Sequence, residues 1–173
     1  EMIAALREEY DLVILDCPSA LLSGDGPVLA GLADMCVTVA AWDQYFYTNG
    51  GGSTIGAAVQ GKGRWEAPVT LSDPLQYCDR AASAVGGDGS IVVAWSCQDP
   101  VTAARSIHAA VRPAGSAQWS APVQLATGYM RVSPDPSPVR VAMNAAGEAW
   151  VAWSLHDGAH YVVEAAWRAA GAG

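Results

Sequence analysis

A chain of 173 residues, half of them apolar and 15% charged, has room for one ordinary globular domain or a domain plus a fragment. Its net charge of −8 argues against a nucleic-acid partner, whose phosphates need a basic surface. No apolar run reaches the roughly 18 residues of a membrane span, so no membrane span is expected.

The charge is unevenly placed. Residues 1–44 hold one basic and eight acidic side chains, residues 45–173 hold eight basic and nine acidic, and six of the seven Trp follow residue 60. A boundary is expected near residue 44. The acidic opening EMIAALREEYD has neither the basic n-region nor the long apolar h-region of a signal peptide, and it starts on Glu1, as a piece of something longer would. The four cysteines form no C-x-x-C, and no Cys/His group has zinc spacing, so no metal site is expected.

In chain order, residues 2–9 place Ile3 and Leu6 on one helical face with Arg7, Glu8 and Glu9 outside. Residues 12–15, LVIL, form a short continuous apolar run, as in a strand buried on both faces of a parallel sheet. Asp16 stands at its carboxyl end, where α/β folds place ligand chemistry. A loop follows, then a short helix at residues 27–32 with Asp25 as N-cap, then a second strand at residues 36–41. The grammar is βαβ.

This first segment, EEYDLVILDCPSALLSGDGPVLAGLADMCVTVAAWDQ, resembles the Walker B region of the bacterial tyrosine autokinases of capsule and exopolysaccharide export. These belong to the ParA/MinD-like class of P-loop ATPases. The family strand ends Asp, any residue, Pro-Pro; here it reads Asp16-Cys17-Pro18-Ser19, with Ser in place of the second Pro. The resemblance covers residues 1–44 and implies half of a nucleotide fold, a cytoplasmic setting, and Asp16 helping to hold Mg-ATP. A buried strand ending in Asp is also an ordinary structural feature, where the carboxylate caps a turn.

Residues 56–63, GAAVQGKG, nearly spell the phosphate loop G-x-x-x-x-G-K-[ST]. Gly63 stands where the Mg²⁺-binding hydroxyl must be, and the following GRWEAPVTLSDP is a poor helix. The stretch also belongs to a repeat. STIGAAVQGKGRWEAPVTLS aligns with RSIHAAVRPAGSAQWSAPVQLA, and VVEAAWRAAG begins the unit again; GDGSIVVAWS aligns with AAGEAWVAWS, and VTVAAWDQ echoes them. The period is about 52–58 residues. Residues 56–63 then read as a strand and its turn, with Lys62 in solvent.

Each unit reads as four short antiparallel strands, with GGDGS and NAAGE as turns. Alternation along SIHAAVR sets Ile107, Ala109 and Val111 inward and His108, Ala110 and Arg112 outward. Four strands per repeat make a β-propeller blade. The fold class expected is mainly β: a partial β-propeller of two to three four-stranded blades, in units of about 45–72, 73–126 and 127–173, after a short N-terminal α/β fragment. Residues 45–173 resemble the sialidase-like or BNR-like propeller repeats of secreted bacterial proteins, which implies an extracellular or cell-surface setting. The Asp-box S-x-D-x-G-x-x-W of sialidases is not present.

The repeated Trp42, Trp95 and Trp153 suit either packing between blades or sugar stacking. A hairpin turning at residues 87–90 brings Cys97 opposite residues 79–81, one or two places from Cys78. Cys78 and Cys97 are the disulfide candidates in an exported protein, and reduced buried thiols are the alternative. His108, His156 and His160 build no triad. A sialidase-type site needs an Arg cluster and a Tyr, and no spacing joins Arg105, Arg112, Arg131, Arg140 and Tyr129. No catalytic residue and no cofactor is expected, with Mg-ATP as the alternative at Asp16.

The function expected first is a non-enzymatic surface module binding a glycan or other cell-surface ligand, able to self-associate through open blade edges. The alternatives are an ATP-binding fragment, inactive without a phosphate loop, and a sialidase-like glycoside hydrolase. The two resemblances imply different compartments, and their junction falls inside a nucleotide fold. A truncated or fused chain with no function as a unit is the further reading.

Overall fold

The computed structural model describes residues 9, 38–46, 52–61, 64–129, 139–156 and 159–172. These form strands and turns: β1 (Thr38–Phe46), β2 (Gly52–Gly61), β3 (Arg64–Trp65), β4 (Val69–Thr70), β5 (Tyr77–Val85), β6 (Ile91–Gln98), β7 (Ala104–Arg112), β8 (Val123–Tyr129), β9 (Arg140–Met143), β10 (Ala149–His156) and β11 (Tyr161–Arg168). The chain is mainly β. Of the expected βαβ segment, Asp16, Cys17 and Cys36 lie outside the described residues, whereas residues 38–41 of its second strand belong to β1 and pair antiparallel with β2 rather than lying in a parallel sheet. The compositional break at residue 44 falls inside β1, which pairs antiparallel with β2 over its whole length.

The strands fall into three antiparallel units. The first is β1–β4, the second β5–β8 and the third β9–β11. A single bridge joins the first to the second, Ser53 to Tyr77, and another joins the second to the third, Tyr129 to His156. Within each unit the turns are those the residues demand. Gly89 and Gly147 take φ of +85° and +82°, where a Cβ is strained, and close the hairpins before β6 and β10. Pro68 and Pro122 lack an N–H, and the pairing next to β2 and β7 resumes only beyond them, at Val69 and Val123.

The units stack face to face. Alternation along β6 sends Val93, Trp95 and Cys97 toward the first unit, against Ile55, Ala57 and Leu71. It sends Val92 and Ala94 toward the third, against Val139, Ala149, Val151 and Trp153. β6 is therefore buried on both sides. This corrects the outward placement of the alternate β7 positions: Ala110 is fully buried and His108 is largely covered. Period-2 alternation separates two faces, but in a middle layer both faces are inside.

At the junctions, backbone meets backbone or carboxylate. Gly87 N–H donates to the Asn144 carbonyl at 3.2 Å, joining the second and third units turn to turn. Arg80 has φ +62° at a β-bulge, where Arg80 and Ala81 together face Trp95 alone. Their N–H groups donate to the Asp43 carboxylate of the first unit, at 3.1 and 3.4 Å. That carboxylate satisfies donors the bulge takes out of the ladder.

Candidate functional site

The sequence candidates are dispersed or already engaged. Asp16 lies outside the described residues, as do Lys62 and Gly63. Gly56 to Gly61 belong to β2, in extended pairing with β1, β3 and β4, so this part of the near-motif is strand. Cys78 and Cys97 are direct register partners and form a disulfide. A hairpin without irregularity would set Cys97 opposite Asp79; the bulge at Arg80 and Ala81 shifts the register by one and brings Cys78 into place.

The repeated tryptophans are packing groups of three different kinds. Trp42 lies over Gly56, where a Cβ would come within 2.5 Å of the indole. Trp95 is fully buried and stacks on its cross-strand partner His108, at 6.1 Å between rings. Trp153 donates from Nε1 to the Glu164 carboxylate at 3.0 Å, again its cross-strand partner. Gly56, His108 and Glu164 are one repeat position, so three residues solve one packing problem. His108 Nε2 meets Ser106 Oγ at 2.8 Å, and burial lowers the imidazole pKa. The Trp95 indole N–H finds no acceptor.

The arginines do not converge. Arg105 and Arg112 lie at opposite ends of β7, and each is held by a carboxylate. Arg105 bonds Asp79 at 2.8 Å and Ser96 Oγ at 2.9 Å. Arg112 makes a fork to both oxygens of Glu66, each at 2.8 Å. Arg140 is exposed on β9, Arg131 lies outside the described residues, and of His156 and Tyr129 only the backbone is described. His160 is exposed beside the β10–β11 turn. Among the described residues no group of three or more His, Cys, Asp or Glu is placed to hold a metal. No helix among them is long and apolar enough to cross a membrane.

What the fold does assemble is a groove of about 400 Å³ between the first and second units. One wall is β4 and its continuation, with Val69, Thr70 and Leu71; the other is the segment before β8, with Gln118, Trp119 and Pro122. Both walls lie on or beside the repeated Trp-x-Ala-Pro-Val stretch. The Arg112–Glu66 fork ties them together, since Glu66 belongs to the first unit and Arg112 to the second. The hydrogen bonds from Arg112 hold the Glu66 carboxyl below its usual range. The far wall is fixed locally: Ser116 Oγ accepts the Gln118 N–H at 3.0 Å, and Ser120 N–H donates to the Val111 carbonyl at 2.7 Å. Trp119 packs one side on the core and lines the groove with the rest.

The groove thus offers an indole, apolar side chains, an amide and hydroxyls. None of its lining residues titrates near neutral pH.

Comparison with protein-family models, with curated proteins and with solved structures finds no match.

Proposed function

We propose that the chain is a non-enzymatic, surface-exposed module of propeller-type repeats that binds a glycan in the groove between its first two units. The groove carries this reading. Neutral sugars present alternating C–H faces and hydroxyls, which suit an aromatic ring flanked by amide and hydroxyl groups. Trp119, Gln118 and Thr70 supply those groups, on walls already fixed by the Arg112–Glu66 fork. A lining without acids or bases suits binding rather than hydrolysis, because glycoside cleavage needs a pair of carboxyl groups or an equivalent. The propeller reading draws support from three strand units stacked face to face, the second of them four-stranded. The Cys78–Cys97 disulfide supports an oxidising, extracellular compartment.

The test is a titration of the full chain with neutral oligosaccharides of glucose, N-acetylglucosamine and mannose, followed by tryptophan fluorescence. Saturable quenching with millimolar or tighter affinity is expected, weakened at least tenfold in Gln118→Ala, an exposed change that leaves the core intact. Binding unchanged in Gln118→Ala and Thr70→Ala would move the site elsewhere. No binding across the panel would remove the glycan reading.

A further inference from the structure

The third unit shows a face that the second unit buries. Repeat alignment sets Trp150 at the place of Val92, Val163 at that of Ile107, Ala165 at that of Ala109 and Trp167 at that of Val111. Val92 and Ile107 are 2% and 3% exposed, covered by the third unit. Trp150, Val163 and Trp167 are 55%, 78% and 53% exposed. Register confirms that they share one face: Trp150 pairs with Trp167, Ala152 with Ala165 and Ser154 with Val163. The two indoles sit side by side at 6.2 Å. None of these six positions is charged; Arg140, which pairs with Ala152 from β9, stands exposed at their edge on the same face.

The structure also shows what such a face receives. Twice in this chain it is met by the opposite, Trp-bearing face of a like unit: Ile55 and Leu71 meet Trp95 and Val93, and Ile107 and Val92 meet Trp153 and Val151. The corresponding side of the first unit carries one exposed aromatic, next to buried Gly56 and Ala58. There Trp65 pairs with Gln60, on the Trp42 side of the sheet, and is 50% exposed. Its repeat counterpart, Trp119, packs against the core between units.

We propose that a second copy of this chain occupies the β10–β11 face, docked head to tail. The third unit of each copy packs on the Trp65 face of the other, and the contact is made twice in a closed two-fold pair of six units. A head-to-tail contact either closes or runs on as a filament. Closure takes the β10–β11 face and Trp65 of each copy out of water, which favours the pair. The site is separate from the groove, and its test does not depend on sugar binding.

Sedimentation equilibrium of the full chain, to about 100 µM, reads the result. The expected species is a concentration-dependent dimer of 17.9 kDa chains. Val163→Glu and Trp65→Glu, both at exposed positions and checked for folding by circular dichroism, should each leave monomer. Mixed together they should re-form a weaker dimer, because one intact contact survives in the heterodimer. Wild-type monomer throughout would overturn the proposal and assign the face to another protein's repeat. A dimer lost in Val163→Glu but kept in Trp65→Glu would replace head-to-tail docking with a symmetric pair of third units. A dimer that survives both changes would place the contact elsewhere, and species growing beyond the dimer would overturn closure.

Discussion

The second and third units are the same repeat in different surroundings. β6 and β10 share the sequence Val-Ala-Trp-Ser, at residues 93–96 and 151–154, and the same pairing with a following strand. Yet the second unit is covered on both faces and the third on one. Val92 is core, whereas Trp150 at the same place stands in water. The comparison teaches that alternation fixes which residues share a face, and the neighbour decides whether that face is inside.

The largest effect should come from breaking the shared feature. Trp95→Ala should cost about 3–5 kcal/mol in urea denaturation, because it empties a fully buried site between two units. Trp150→Ala in the monomer should cost about 1 kcal/mol or less, since half the ring is already in water. Equal losses would mean the third unit is covered as the second is.

The disulfide belongs to the second unit alone, the third having no cysteine. Replacing Cys78 and Cys97 by Ala should cost about 3 kcal/mol, from the entropy of a loop spanning 19 residues. Dithiothreitol should lower the melting temperature of the native chain and leave that of the double variant unchanged.

The position opposite the repeated Trp sharpens the comparison further. Gly56→Ala should destabilise by about 1–3 kcal/mol, because the Trp42 ring lies where the new methyl would go. Asp43→Ala removes the carboxylate that holds the bulge donors of Arg80 and Ala81, for about 1–3 kcal/mol in the same assay.

The smallest effect is a pH dependence of the second unit. Burial keeps His108 neutral in the fold, so the unfolded chain takes up the proton first. The stability due to the neutral ring is complete above pH 6.5, its ordinary pKa, and declines as pH falls from there toward the lowered folded value. His108→Gln should flatten that part of the stability profile, and an unchanged profile would assign the dependence to other groups.

Much of this was legible along the chain. The runs at residues 91–98 and 149–156 are strands because β-branched and aromatic side chains suit a pleated sheet. Gly89 and Gly147 mark turns because only glycine takes their φ without strain. The groove was not legible, because its walls lie about 50 residues apart in the repeat and meet only through stacking. Hairpin counting brought Cys97 within one or two places of Cys78 and named them as the disulfide pair; the bulge, whose N–H groups bond Asp43 from another unit, makes them direct register partners. The equal hydrophobicity of Trp95 and Trp150 says nothing of which one meets solvent.

By itself, then, the sequence determined the repeat, the strands, the turns and the two faces of each sheet, because these follow from side-chain chemistry at short range. The tertiary structure alone decided which faces are core, which tryptophans are exposed and where a groove opens. Those depend on which unit lies against which, and burial is a property of the neighbour as much as of the residue.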